Sequence, residues 1–150
     1  MKKIAVINGP NLNMLNIRDN RTYGSKSLSD IYDGLEKIAE KADVSTYFFQ
    51  SNHEGKITDH IHNNYKEWDG LIINPGGLTH SSVVLRDAVQ LLDIPVIEVH
   101  ISNIYAREEF RHNSMLRDIV EGQICGLGAF SYRAAMNYLI EKINKGEINS

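Results

Sequence analysis

The stretch GLIINPGGLTHSSVVLRDAV, residues 70–89, contains the pattern that decides the fold. Its first part, Gly70–Asn74, is a short apolar run that ends in Asn-Pro-Gly-Gly, as expected for a buried strand followed by a tight turn. The segment 81–92 then places apolar residues at helical spacing. A strand followed directly by a helix predicts one βα unit.

The same alternation of strand and helix continues in both directions along the chain. Further strands are predicted at Lys3–Asn8, Val44–Gln50, Pro95–His100 and Ile119–Leu127. Helices are predicted at 28–42, 56–68 and 131–145, with a short one at 105–113. Ser27 and Asp30 resemble a capping pair at the start of the first helix. The sequence therefore predicts an α/β fold, a doubly wound five-stranded parallel sheet with helices on both faces.

Composition limits the classes of protein that this chain can belong to. Its 150 residues, 42% hydrophobic and 23% charged, fit one domain over 1–150 with a sizeable core. A net charge of -3 argues against a nucleic-acid binder, which needs a basic face. The single cysteine, Cys125, lies in an apolar run, so we expect a buried inert thiol and no disulfide.

The first residues argue against a membrane or secreted protein. The apolar run 4–7 is interrupted by Asn8, so it is too short for a signal peptide or a membrane span. We therefore expect a cytoplasmic protein whose partners are small molecules or proteins.

Polar residues follow each of the first four predicted strands. These loops, rich in Asn, Ser, Gly and His, lie at 8–13, 51–54, 74–80 and 100–103. Ordinary turns also favour Asn, Ser and Gly, but the carboxyl ends of parallel strands meet at one edge, where doubly wound sheets bind ligands. Four such loops at that edge favour a binding site.

Missing motifs narrow the chemistry of this site. There is no G-x-x-x-x-G-K-[ST] for nucleotide phosphates and no G-x-S-x-G for a serine nucleophile. Gly126-Leu127-Gly128 lacks the third glycine of a dinucleotide fingerprint and is typical of a tight turn. His60 and His62 point to different faces of a helix and no H-E-x-x-H occurs, so we expect no catalytic metal. Proton transfer on a small polar molecule remains.

Two residues are candidates for this proton transfer. Glu98 and His100 alternate on a strand, so both face one side, and a hydrogen bond from the His100 ring to Glu98 makes His100 a plausible acid. Tyr23 lies in a polar loop with Arg18 and Arg21, and an adjacent guanidinium lowers the pKa of a phenol. Tyr23 is thus a plausible base, unless it only packs or hinges the loop.

Two arginines close to the fourth strand end have two interpretations. Arg107 and Arg111 are four residues apart beside Glu108 and Glu109, which is usual for a solvated, salt-bridged face. Because they follow the His100 loop, Arg111 can alternatively reach an anionic or polyhydroxylated ligand. His80 is a further candidate within the same edge.

Five blocks resemble the type II 3-dehydroquinate dehydratases. They are GPNLNMLN (9–16), YG (23–24), FFQSNHEG (48–55), NPGGLTHSSVVLRDA (74–88) and EVHISNIYAREEFRHNS (98–114). The resemblance runs from Ile4 to the last helix. It implies a flavodoxin-like domain that converts 3-dehydroquinate to 3-dehydroshikimate in the shikimate pathway of aromatic amino-acid biosynthesis, without metal or organic cofactor.

The resemblance also assigns roles to individual residues. Tyr23, with its pKa held down by Arg18, is expected to remove the proton next to the ketone. Asn11 would hold the water that stabilises the enolate, and His100, oriented by Glu98, would protonate the departing hydroxyl.

Substrate-binding roles follow from the same resemblance. The substrate-binding residues that it implies are Asn74, His80, Arg111 and the backbone amides of Ile101 and Ser102. Relatives of this kind assemble as trimers gathered into dodecamers, and Asp87 would reach the neighbouring subunit's site. The lid loop, about 16–24, lacks the glycine and proline usual before the tyrosine, which is expected to alter its closure.

Two other classes of protein are alternatives. A flavodoxin-like flavin-binding electron carrier would need a Ser/Thr-rich phosphate loop after the first strand, which this sequence lacks. A non-catalytic oligomeric scaffold would keep the apolar runs and tolerate loss of Tyr23, His100 and Arg18.

Overall fold

The computed structural model describes residues 1–17 and 26–146. Its five strands form one sheet in the order β2-β1-β3-β4-β5, and every neighbouring pair is parallel. The strands are β1 (Lys2–Asn8), β2 (Val44–Gln50), β3 (Gly70–Asn74), β4 (Val96–His100) and β5 (Gly122–Cys125). This is the flavodoxin-like order, so the predicted fold class is confirmed.

Within the described residues, four α-helices cover the two faces of the sheet. They are α1 (Leu28–Lys41), α2 (Glu54–Asn64), α3 (Val83–Gln90) and α4 (Phe130–Asn144). Ser27 and Asp30 form the predicted capping box at the start of α1. No helix in the ranges 1–17 and 26–146 is long and apolar enough to cross a membrane.

Alternate residues of the central strands supply two separate cores. Ile4 and Val6 of β1 face α1 and α4, whereas Ala5 and Ile7 face α2 and α3. All five residues of β3 are buried. Burial on both faces is the physical reason why these strands are nearly continuous apolar runs.

Two predicted elements differ in kind or length from the structure, and the helix predicted at 56–68 is displaced to Glu54–Asn64. The predicted short helix over 105–113 is wrong, because this segment contains two 3-10 turns, Ile104–Ala106 and Glu109–Arg111. The backbone of Arg107, between the turns, is extended at φ -107 and ψ -163, which interrupts any continuous helix. The last strand is also shorter than predicted, because residues 119–121 precede it as turn and bend.

The register of the sheet brings its functional edge together. Asn8 at the end of β1 pairs with Asn74 at the end of β3, and Ile73 pairs with Glu98 of β4. The loops after these three strands therefore leave the sheet at nearly the same level. The strand order reverses at β1, so this is the topological switch point where such sheets bind ligands.

Candidate active site

A cavity of about 240 Å³ lies at the carboxyl ends of β1, β3 and β4. It is lined by Pro10, Asn11, Leu12, Asn74, Gly76, Gly77, His80, His100, Ile101, Ser102, Ile104, Arg107 and Arg111. Its lining combines amides, imidazoles and guanidinium groups with a few apolar side chains, as expected for a site that orients a small polar ligand.

Close backbone contact between two loops forms one wall of the cavity. The N–H of Gly9 donates to the Asn74 carbonyl at 2.8 Å. A Cβ at Gly9 would lie 2.3 Å from the Pro75 carbonyl oxygen, and one at Gly76, where φ is +61, would lie 2.8 Å from the Pro10 oxygen. Only glycine allows these approaches, so the Gly-Pro and Pro-Gly-Gly turns fit against each other.

His100 forms the floor of the cavity with Glu98 behind it. Nε2 of His100 lies 2.5 Å from Oε2 of Glu98, and both side chains are buried. Within the described part of the chain, Nδ1 of His100 has no hydrogen-bond partner, and His100 lines the cavity. The carboxylate therefore fixes the ring so that one imidazole edge is available to a ligand.

The Glu98 carboxylate has no solvent exposure, and four side chains of the described ranges hold it. It accepts hydrogen bonds from Thr79 Oγ1 (2.6 Å), Ser114 Oγ (2.8 and 2.9 Å) and Gln123 Nε2 (2.8 Å), in addition to His100. Burial alone would raise the pKa of Glu98, but the hydrogen bond and charge of His100, with the bonds from Thr79 and Gln123, lower it overall. Glu98 is thus an anion at neutral pH.

His80 and two arginines approach the opposite side of the cavity. The ring centroids of His80 and His100 are 6.5 Å apart, and Nδ1 of His80 lies 2.9 Å from the Asn113 carbonyl. Burial, then the charges of His100 and Arg111, lower the pKa of His80 against the effect of its backbone bond. His80 is therefore a neutral hydrogen-bonding group at pH 7, while Arg111 and Arg107 supply positive charge.

A chain of amides and hydroxyls supports the other end of the cavity. Asn74 Nδ2 donates to the Tyr132 hydroxyl at 2.9 Å, and that hydroxyl donates to Asn8 Oδ1 at 2.5 Å. Asn74 Oδ1 accepts from the Gly76 N–H at 3.1 Å. Asn11 is in a left-handed conformation with φ 71, and its backbone N–H donates to Asn52 Oδ1 at 3.0 Å.

The structure brings together most of the residues predicted for the site. Seven of them line the cavity, namely Asn11, Asn74, His80, His100, Ile101, Ser102 and Arg111, and Glu98 lies directly behind His100. Asp87 is instead an exposed residue of α3 that does not line the cavity. Tyr23 and Arg18 lie outside the described residues.

Sequence reasoning missed several polar residues that shape the site. Thr79, Ser114 and Gln123 around Glu98, and Tyr132 beside Asn74, are separated from their partners by 16 to 58 positions. No local pattern connects residues so far apart. A tyrosine within the last predicted helix, 131–145, was the one available signal, because a buried tyrosine hydroxyl needs a partner.

None of the described residues forms an obvious metal site. Within 1–17 and 26–146, no three His, Cys, Asp or Glu side chains lie close enough together to hold a metal ion. The donors that converge on the cavity are amide, imidazole and guanidinium nitrogens.

Comparisons with known proteins connect this geometry to a family. The sequence matches the family described as dehydroquinase class II over residues 2–140. This chain belongs to that family. Every cavity-lining residue falls within the matched class II dehydroquinase region.

Curated relatives and solved structures agree with the family match. The chain is 51% identical to a 3-dehydroquinate dehydratase of Halothermothrix orenii, over 97% of this chain and 99% of that protein. It is 47% identical to one from Bacillus pumilus, over 95% and 97%. The crystal structure of a type II dehydroquinase from Butyrivibrio crossotus superimposes with a TM-score of 0.89 at 43% identity, covering 92% and 97%. The flavin-binding alternative finds no support in these matches.

The contact between the two glycine turns can be tested by substitution. Gly9→Ala places a methyl group against the Pro75 carbonyl, so we expect the free energy of unfolding to fall by about 1–3 kcal/mol. Urea denaturation at one protein concentration measures this. Gly55→Ala, which meets open space in α2, is the matched control. Equal stability of Gly9→Ala and the parent chain would contradict the close approach.

The thiol of Cys125, which was expected to be buried, is only partly buried in the structure, and its pKa gives a second measurable prediction. Burial, and then the charge of Glu98, raise the pKa of Cys125 to about 11. Only about one thiol in a thousand is then ionised at pH 8, so iodoacetamide should react far more slowly than with free cysteine. The alkylation rate of the folded protein should continue to rise up to about pH 11. A plateau near pH 9 would show an ordinary thiol.

Proposed function

We infer that this chain is a 3-dehydroquinate dehydratase, which eliminates water from 3-dehydroquinate to give 3-dehydroshikimate. Family membership and the names of relatives at 51% and 47% identity support this activity. The observation that carries it is the buried Glu98–His100 pair at the floor of a cavity that also contains Arg111 and His80.

His100 supplies the acid in this mechanism. Elimination of water requires a proton on the departing hydroxyl, and His100 presents an imidazole edge to the cavity. The other ring nitrogen donates to Glu98, so the ring is held in the orientation that presents this edge. The proton passes from the imidazole to the hydroxyl oxygen as the carbon–oxygen bond breaks.

Other hydrogen-bond donors that line the cavity bind the carboxylate and the ring hydroxyls of the substrate. We assign the substrate carboxylate to Asn74 and to the backbone amides of Ile101 and Ser102. Arg111 and the neutral His80 then hydrogen-bond the ring hydroxyls. Arg107 adds positive charge on the same side and donates to the Ser102 hydroxyl at 3.2 Å, so an anionic substrate is favoured.

Tyr23 is the proposed base, although it lies outside the described residues. Its phenolate would remove the proton next to the ketone, and Arg18 would keep the phenol ionised near neutral pH. The resulting enolate is stabilised through a water held by Asn11, which lines the cavity. Proton removal by Tyr23 and proton delivery by His100 together complete the elimination without a covalent intermediate.

We also propose the organisation that the family resemblance implies. Residues 1–150 form one catalytic domain with a lid at about 16–24, and the domains assemble as trimers gathered into a dodecamer. Asp87 is exposed on α3, so its carboxylate is available to a neighbouring subunit's site.

The dehydratase function is tested by the ultraviolet absorbance of the conjugated enone product. The purified chain should produce this absorbance from 3-dehydroquinate. Tyr23→Phe should lower kcat by about 100-fold or more, because it removes the base. Tyr65→Phe, at an exposed tyrosine outside the cavity, is the matched control. Near-normal turnover by Tyr23→Phe would reject the proposed base.

A second test separates this mechanism from one that forms an imine. No lysine lies among the described residues that line the cavity, so borohydride added with 3-dehydroquinate should leave the enzyme active. Activity is compared after removal of reagents, with borohydride alone as the control. A lysine adduct detected by mass spectrometry would overturn the mechanism.

A further inference from the structure

Two hydroxyl groups that the proposed mechanism does not use contact the buried carboxylate directly. Thr79 and Ser114 are both fully buried, and their Oγ atoms lie 2.6 to 2.9 Å from the Glu98 oxygens. Neither residue lines the cavity. They therefore cannot bind substrate, and any role in the reaction must pass through Glu98 and His100.

We propose that Thr79 and Ser114 are positioning residues, whose hydroxyls hold the Glu98 carboxylate in the orientation that presents His100 to the substrate as an acid. The proposal rests on the dehydratase function inferred above and deepens it.

The hydrogen bonds around Ser114 determine the direction in which its hydroxyl donates. The N–H of Leu116 donates to Ser114 Oγ at 3.0 Å, which uses an acceptor position of that oxygen. The hydroxyl proton is then directed to Glu98, whose two oxygens lie 2.8 and 2.9 Å away. Charge-assisted bonds of this kind are roughly twice as strong as neutral ones. Ser114 is thus a fixed donor to the carboxylate.

The backbone around Ser114 also contacts the segment that contains Thr79 and His80. The N–H of Met115 donates to the Thr79 carbonyl at 2.6 Å, and the Asn113 carbonyl lies 2.9 Å from Nδ1 of His80. Residues 113–115 therefore contact both Thr79 and His80. One short segment positions His80 directly and His100 through Glu98, so the two cavity imidazoles share a common support.

The two hydroxyls also lower the negative charge that the Glu98 carboxylate presents to His100. Each donor to the carboxylate withdraws negative charge from the oxygen that contacts His100. When a donor is removed, the carboxylate attracts the imidazolium more strongly, so the ring releases its proton less readily. A weaker acid delivers the proton to the leaving hydroxyl more slowly.

Other charged or titratable groups near Glu98 are unchanged by substitution of these hydroxyls. From all the elements that surround Glu98, these groups are His80, His100, Tyr105, Arg111, Arg117 and Cys125. A change in pH dependence after removal of one hydroxyl is therefore assigned to the carboxylate that it contacted.

The test compares Thr79→Val and Ser114→Ala with the parent enzyme. In each variant, we expect kcat to fall about 3- to 10-fold with KM within about twofold, because the substrate contacts are intact. In a plot of kcat against pH, the alkaline limb, where kcat decreases, should shift to higher pH by about half a unit. Ser114→Thr keeps the hydroxyl donor, so its kcat and the pH of its alkaline limb should match those of the parent enzyme.

The matched control is Ser131→Ala, which removes another fully buried hydroxyl. Ser131 Oγ donates to the backbone carbonyl of His100 at 3.2 Å and makes no bond to Glu98. The alkaline limb of the kcat profile of Ser131→Ala should lie at the same pH as in the parent enzyme, even if the substitution lowers the stability of the protein. An unshifted limb in both Thr79→Val and Ser114→Ala would overturn the proposal, and if Ser114→Ala fails to fold, Thr79→Val alone decides.

A measurement in the resting protein separates this proposal from the proposed function. The pH at which the His100 ring carbon NMR signals change should rise in Thr79→Val and Ser114→Ala and remain the same in Ser131→Ala. An unchanged value in both hydroxyl variants would reject the positioning role. Absence of enone from the parent enzyme would instead reject the dehydratase function, and the NMR result would still decide the role of the hydroxyls.

Discussion

The buried carboxylate of Glu98 is the constraint on which the site depends. A charge without solvent exposure is costly unless hydrogen bonds replace its water. Glu98 meets this requirement with donors from four parts of the chain, including Thr79, Ser114 and Gln123. Because His100 provides the remaining donor, the need to satisfy the carboxylate also determines where the imidazole lies.

Close main-chain contacts also determine the shape of the cavity. Gly9 and Gly76 let the turns after β1 and β3 approach within distances that a side chain would forbid. Asn74 then connects this pair of turns to the buried hydroxyl of Tyr132 on α4. These turns and the hydrogen-bonded amides fix the shape of the cavity and its position relative to the sheet.

The order of elements and most residues that line the cavity could be predicted because their signals are local. Apolar runs bounded by Asn, Gly, Pro or Ser identified β1, β3 and β4, and polar residues at their ends identified the edge of the sheet that carries the cavity. Alternation along one strand was sufficient to place Glu98 beside His100. The segment 105–113 was mistaken for a helix because the extended backbone at Arg107, which separates its two turns, has no local sequence signature.

The sequence by itself determined the α/β class, the family and the pairing of Glu98 with His100, because each is read from short runs and blocks of neighbouring residues and from their order along the chain. Only the tertiary structure decided that Thr79, Ser114 and Gln123 surround that carboxylate and that Tyr132 supports Asn74. Such contacts join residues far apart in the chain, and their partners are selected by burial, which requires every enclosed polar group to find a hydrogen bond.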